Sequence, residues 1–314
     1  MKIVTLTLNP CIDRTISISG EIRTSATHRV EKSRAELSGK GLNISYLLHN
    51  WKEETYCLGI DYEDSGFPVT EKCNTLDIPY QLAIMQGEIR TNIKVFDKAH
   101  KTMTEFNEKG ALKGADRTEE ILQMADDCLE DMEPEDILVC TGSVPQGIAD
   151  TIYRDILLLA QKKKIRTVLD ASGTLLKNAI STNPTVMKPN AEEIAELLGH
   201  EPKDEQEIVE YAKALIKQGV SYICVTLGAQ GAILVSAEGV WKAEALDVEV
   251  RGIQGSGDSV VAGMCVALGK GLGEEEILRY GIAAAGGSLM QEGTQMCRRS
   301  DFEKLLSKVQ IRKQ

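Results

Sequence analysis

Residues 255 to 258 read Gly-Ser-Gly-Asp and lead straight into the apolar run "SVVAGMCVALG". Small residues let a backbone turn tightly, and the first N–H groups of the helix that follows have no intrahelical partner. Gly255, Ser256 and Gly257 therefore offer a seat for negative charge, such as the charge developing on a transferred phosphoryl group. Asp258, beside that seat, could accept the proton of an attacking hydroxyl. A helix N-terminus favours its ionised form. The competing reading is a helix cap, with the carboxylate bonded to the orphan N–H groups, and these four residues by themselves favour it.

Three other stretches carry weaker chemistry. In "LSGKGLN", Gly39 and Gly41 permit close backbone approach, Lys40 brings a cation and Asn43 can hydrogen-bond a hydroxyl. The nucleotide P-loop pattern is absent. In "KPNAEEIAELLG", Lys188 and Asn190 end a strand and Glu193 falls in the first turn of the next helix. Asn190 with Glu193 fits an N-cap pairing, or else an amide and a carboxylate that organise hydrated magnesium beside phosphates. In "VTLGAQGAILV" a Gly-containing turn joins two strands; Thr226 and Gly228 fit a plain hairpin or a surface facing a nucleotide phosphate.

The elements that must position these residues alternate. Short β-branched runs ("KIVTLTLN", "TYCLGI", "DILVCTG", "RTVLDAS", "TVMKPN", "YICVTLG") are separated by helix-like stretches at 117 to 131, 149 to 164, 190 to 199 and 204 to 219. The fold class is α/β, a mostly parallel sheet covered on both faces. Ligands of such sheets sit at the carboxyl ends of the strands. The polar residues just past each strand form one rim: Asn9 and Asp13, Gly142 and Ser143, Asp170, Lys188 and Asn190, Thr226 and Gly228. Regions 14 to 36 and 89 to 106 break the alternation. Each reads as strands without a long helix, and Ile93 and Val95 alternate with polar neighbours. They predict a small accessory sheet on a single domain, serving as a lid over substrate, a dimer surface, or both. Past Asp258 come helical runs at 258 to 270, 275 to 292 and 300 to 309; the small residues of "GIAAAGGSLM" suit a flat ring or close helix packing equally.

With 314 residues, 42% hydrophobic and 26% charged, the chain has the composition of a globular protein. A net charge of −11 disfavours a nucleic-acid partner held by a basic face. No apolar run reaches membrane-spanning length, and the N-terminal run is too short and wrongly flanked for a signal peptide. None of the eight cysteines forms a C-x-x-C pair, and several sit in apolar runs, which predicts core packing in a reducing compartment. Cytoplasmic location is the expectation. A dinucleotide-binding dehydrogenase is excluded, because no G-x-G-x-x-G follows the first strand.

In order along the chain, "TLNPCID", "GKGLN", "GEIRTNIKV", "TGSVPQGI", "LDASG", "KPNAEE", "TLGAQGA" and "GSGDS" make it similar to the phosphofructokinase B family of ribokinase-like sugar kinases. The resemblance covers essentially the whole length and looks most like the branch that phosphorylates ketose phosphates. It implies a three-layer α/β/α domain with a β-sheet lid, often a dimer contact. It also implies an ATP-dependent phosphotransferase using Mg2+, with Asp258 as base in place of the cap. Gly255, Ser256 and Gly257 match the family's anion hole. Asp13, Gly39 and Asn43 match positions holding sugar hydroxyls; Lys40 and Arg90 match positions near the substrate's phosphate, with Arg29 a looser match from the lid. Lys188, Asn190, Thr226 and Gly228 match the ATP side, and Glu193 the magnesium side, through water.

The chain departs from the family's pattern at Ser38 and Tyr62, each in place of a glycine, and at Gly252-Ile253-Gln254, where the family commonly has Asp-Thr-Val or a near variant. The expected substrate is fructose 1-phosphate, with tagatose 6-phosphate the close alternative. A rival of another class is a sensor that binds a sugar phosphate without turnover, favoured only by residues 252 to 254.

Overall fold

The structure, a computed structural model, describes every residue except Lys101 and Ala115. The chain opens with β1 (Ile3–Thr7), β2 (Cys11–Ile18), β3 (Val30–Ser38), α1 (Lys40–Asn50), β4 (Thr55–Tyr62), α2 (Pro68–Leu76) and β5 (Tyr80–Met85). It continues through β6 (Arg90–Asp97), β7 (Thr102–Asn107), α3 (Thr118–Glu130), β8 (Ile137–Thr141), α4 (Ile152–Lys162), β9 (Arg166–Asp170), α5 (Gly173–Ala179) and β10 (Val186–Met187). Then follow α6 (Ala191–Leu198), α7 (Glu205–Gln218), β11 (Tyr222–Thr226), β12 (Ala232–Ser236), β13 (Gly239–Ala243), α8 (Ser256–Gly269), α9 (Glu274–Leu289), α10 (Arg299–Leu306) and β14 (Ile311–Lys313).

Ten strands form the main sheet in the order β14-β13-β12-β11-β10-β9-β8-β1-β4-β5. From β5 to β11 all neighbours are parallel, and β12, β13 and β14 finish one edge antiparallel. Parallel strands joined by helices are covered on both faces, so they read as continuous apolar runs. Every residue of β1 and β8 is buried. Their side chains alternate: Val4, Leu6, Leu138 and Cys140 enter the core shared with α3, α4 and α7. Ile3, Ile137 and Val139 enter the core shared with α1, α8 and α9. A fully buried Ile or Leu contributes roughly 1.5–3 kcal/mol.

The runs read from sequence do not include β5, β13, β14, α2 or α5. Strand β5 is half exposed and β14 is three residues long, so neither carries a strong period. The small residues of 281 to 290 are taken up by packing. A Cβ at Gly263 would sit 2.4 Å from the Tyr280 carbonyl oxygen, and one at Gly281 would sit 3.1 Å from Val260. Helices α8 and α9 thus meet backbone to backbone.

A second sheet, ordered β3-β2-β6-β7, stands beside the first. Its central pair β2–β6 is parallel and both outer pairs are antiparallel. The register sets Asp13 against Asn92 and Arg14 against Ile93. Because side chains alternate, one face carries Asp13, Asn92 and Lys94, and the other carries Ile93 with Phe106 opposite it.

Candidate active site

The chain leaves β1 for β4 and β5 on one side and later uses β8 onward on the other. The sheet order therefore reverses between β1 and β8. A crevice opens at the carboxyl ends of strands at such a point. A cavity of about 170 Å³ lies there, lined by Thr7, Asn9, Lys40, Arg90, Thr141, Gly142, Ser143 and Ser172. Helix α1 starts at its rim, and its fit against β1 depends on glycine: a Cβ at Gly41 would fall 2.3 Å from Thr7 Oγ1 and 2.7 Å from the Leu6 carbonyl oxygen.

Gly255, whose φ of 69° is left-handed, is the N-cap of helix α8 and has no side chain to cap it. Among the described residues the Asp258 carboxylate accepts no hydrogen bond from the N–H groups of α8, so the cap reading does not hold for this chain. The carboxylate's one hydrogen-bond partner among those residues is Asn43 Nδ2 of α1, which donates to Oδ2 at 2.8 Å. The group is 6% exposed. Burial, reinforced by the nearby Asp170 carboxylate, outweighs the pull of Lys40, Asn43 and Lys188 and pushes Asp258 up to about 6. It is a carboxylate still mostly ionised at neutral pH, yet far more basic than an exposed one.

The opposite wall is Asp170, at the end of β9. Lys188 Nζ lies 3.0 Å from Oδ1 and Lys40 Nζ 3.1 Å from Oδ2, and Thr141 donates to Oδ2 at 2.9 Å. Burial alone would raise this carboxyl; the two ammonium groups outweigh it and hold it at about 2. Lys40 in turn is held above the usual lysine range: burial opposes this, but Asp170, Asp258 and Glu193 prevail. A Cβ at Gly257 would be 3.9 Å from Lys188 Nζ, so the small-residue turn faces a buried ammonium. Two cations and a helix start converge on one spot, an arrangement that favours an anion.

Asn190 and Glu193 form the capping box. Glu193 N–H donates to Asn190 Oδ1 and Asn190 N–H donates to Glu193 Oε2, each at 2.8 Å. Burial, more than any neighbour, raises the Glu193 carboxyl above its ordinary value. Thr226 lies beside Asn190 in a parallel bridge, and Gly228, at φ 59°, opens the turn between β11 and β12. Four of the sequence-predicted residues thus line two adjacent strand ends.

On the small sheet, Asp13 is buried and bonded from β6: Lys94 Nζ approaches Oδ2 at 3.1 Å and Asn92 Nδ2 donates to Oδ1 at 2.9 Å. Neither partner was among the predicted site residues, although both alternate with Ile93 on the strand and so share the face of Arg90. The Arg90 guanidinium donates to the Asn9 carbonyl at 3.2 Å and to the Glu108 carbonyl and Asn92 Oδ1 at 3.0 Å. Arg29 does not join this cluster. It precedes Val30, which pairs with Ile18 at the end of the small sheet opposite Ser38. Eight residue steps at about 3.4 Å each separate those ends by roughly 27 Å.

Among the described residues, no group of three or more His, Cys, Asp or Glu could hold a metal. Asp170 is occupied by two lysines and one oxygen of Glu193 by the capping box. These residues fit an ion held chiefly by phosphates and water, as magnesium commonly is, and do not build a protein cage. All eight cysteines are free and buried. No helix among the described residues is long and apolar enough to cross a membrane.

The model of the pfkB family of carbohydrate kinases matches residues 6–301. The chain belongs to that family. It is accordingly a phosphotransferase with an alcohol group as acceptor. Tagatose-6-phosphate kinase of Staphylococcus epidermidis is 28% identical over 98% of this chain and 99% of its own. 1-Phosphofructokinase of Bacillus subtilis is 28% identical over 92% of this chain and 93% of its own. The fold is also that of phosphofructokinase-2 from Escherichia coli in complex with substrates and products, with a TM-score of 0.89, 24% identity, and 98% and 99% of the two chains covered. The pfkB kinases' three-layer architecture, with its small second sheet, is the one described above.

Proposed function

We propose that this kinase transfers the γ-phosphoryl group of ATP to a hydroxyl of a ketose phosphate, with fructose 1-phosphate as substrate and fructose 1,6-bisphosphate as product. The observation that carries the reading is Asp258: a buried carboxylate, raised to about 6, free of any capping duty, beside the turn at Gly255, Ser256 and Gly257. Such a group binds a proton as the hydroxyl attacks. The turn's N–H groups and Lys188 would stabilise the transferring group, and Lys40 bridges from Asp170 toward the same spot. Asp13, Gly39 and Asn43 would hold sugar hydroxyls, Arg90 and Lys40 the substrate's phosphate, and Asn190, Thr226 and Gly228 the nucleotide. Magnesium, when bound, would neutralise ATP phosphate charge; Glu193 is the residue to hold it, through water.

The ketose-phosphate class is supported by the two relatives' activities, which name tagatose 6-phosphate as the competing substrate. The small sheet is read as a lid that pairs two subunits. Ile93 (38% exposed) and Phe106 (58% exposed) lie on its face away from Asp13, apolar surface that a second copy would cover. The test is ADP release with Mg-ATP against fructose 1-phosphate, tagatose 6-phosphate, fructose 6-phosphate and the free sugars. Preference for fructose 1-phosphate supports the reading; preference for tagatose 6-phosphate changes the substrate. Binding without ADP release would make the protein a sensor.

A further inference from the structure

A second concavity, larger than the one between β1 and β8, opens away from the crevice. A cavity of about 450 Å³ lies between β3, α1, α2 and the segment joining α9 to α10, and it shares no lining residue with the first. That volume suits a small metabolite. Its walls include the cations of Lys72 and Arg298, and neither has a carboxylate partner among the described residues. On a chain of net charge −11, two uncompensated cations in one hollow are a local reversal of the global field. The Lys72 ammonium stands over the Tyr46 ring at 5.5 Å, and Gln295 adds an amide. The one carboxylate in the wall, Glu36, is already engaged by Arg34 and by the Thr294 N–H at 3.2 Å.

We propose that this hollow is an effector site for a small phosphate-bearing anion, bound between Lys72 and Arg298. Two of its walls reach the catalytic end of the molecule. Met296 packs on the start of the anion turn, where a Cβ at Gly255 would meet its sulfur at 2.9 Å. Glu36 pairs in register with Asp13 across β3 and β2, and its bond to Thr294 ties the small sheet to the segment that carries Met296. An occupant that moves Arg298 and its neighbours therefore changes the seat of both Gly255 and Asp13. The sign of the effect depends on which arrangement the anion prefers; its existence requires only a differential affinity.

The binding claim stands apart from the kinase reading, while the regulatory claim depends on it, so each has its own readout. Calorimetry with inorganic phosphate and with 3-phosphoglycerate, in the presence of saturating ADP, tests the site. We expect binding by the wild type and at least a tenfold loss in the doubly substituted Lys72→Glu, Arg298→Glu chain, with an unchanged melting temperature. Preference for 3-phosphoglycerate identifies a phosphorylated metabolite as the ligand, and equal binding identifies phosphate itself. No binding up to 10-fold the physiological millimolar range, or equal binding by the double variant, overturns the site. For regulation, the same anions should change the sugar-phosphate KM at least threefold in the wild type and leave the variant unmoved at near-normal kcat. An identical response in both chains would place the anion in the active site and refute the proposal.

Discussion

Replacing Asp258 by Asn tests the chemistry and the energetics together. The carboxyl is raised from 3.8 to about 6 chiefly by burial. Two units at about 1.4 kcal/mol each make the ionised group destabilising by about 3 kcal/mol. For a carboxyl whose folded value is raised, the folded state holds the proton more tightly. The penalty is therefore absent below about pH 4, grows as pH rises from there, and is complete above about pH 6. Asp258→Asn should accordingly melt higher than the wild type at pH 8, on the order of 5–10 °C for about 3 kcal/mol, and the gap should close toward pH 4. Its kcat should fall about 10²–10⁴-fold with KM changed little. Dividing wild-type by variant kcat/KM at each pH cancels the ionisations of the substrates. That ratio should fall about tenfold per unit below pH 6. A variant no more stable at pH 8, or a ratio flat down to pH 5, would refute the burial argument; retention of activity within tenfold would refute the base.

Asp170→Asn should destabilise by about 3–5 kcal/mol, read by denaturant melts at pH 7, because it strands the Lys40 and Lys188 ammonium groups. Because the Asp170 carboxyl is held at about 2, its stabilisation should be complete above about pH 4 and lost as acid titration proceeds toward pH 2. Gly41→Ala should lower stability by roughly 1–3 kcal/mol or more, since the added methyl meets the Leu6 carbonyl oxygen at 2.7 Å. Arg90→Ala should raise the KM for the sugar phosphate at least tenfold with a smaller change in kcat; the opposite split would remove Arg90 from substrate binding. Phe106→Glu should convert a dimer to a monomer in light scattering at micromolar concentration, and an unchanged mass would separate this face from assembly.

What the sequence determined is what short-range physics writes locally. Strand runs, helix periods and the polar residues just past each strand placed Asn9, Ser143, Lys188 and Asn190 on one rim, because every parallel strand must end on the same side. The capping pair Asn190 and Glu193 is likewise a matter of three-residue spacing. Only the tertiary structure decided what those residues are bonded to. Asp258 reads as a cap until α1, 215 residues away, brings Asn43 to its carboxylate. Asp170 looks like one rim residue among several, and becomes the partner of two lysines once β9 lies beside β10 and near the start of α1. Arg29, matched to the phosphate only loosely and by resemblance, lies by register next to the end of β3 away from Ser38. Burial, which sets the basicity of Asp258, and sheet order, which closes the cavity at β1 and β8, are properties of contacts across more than a hundred residues. No local period records them.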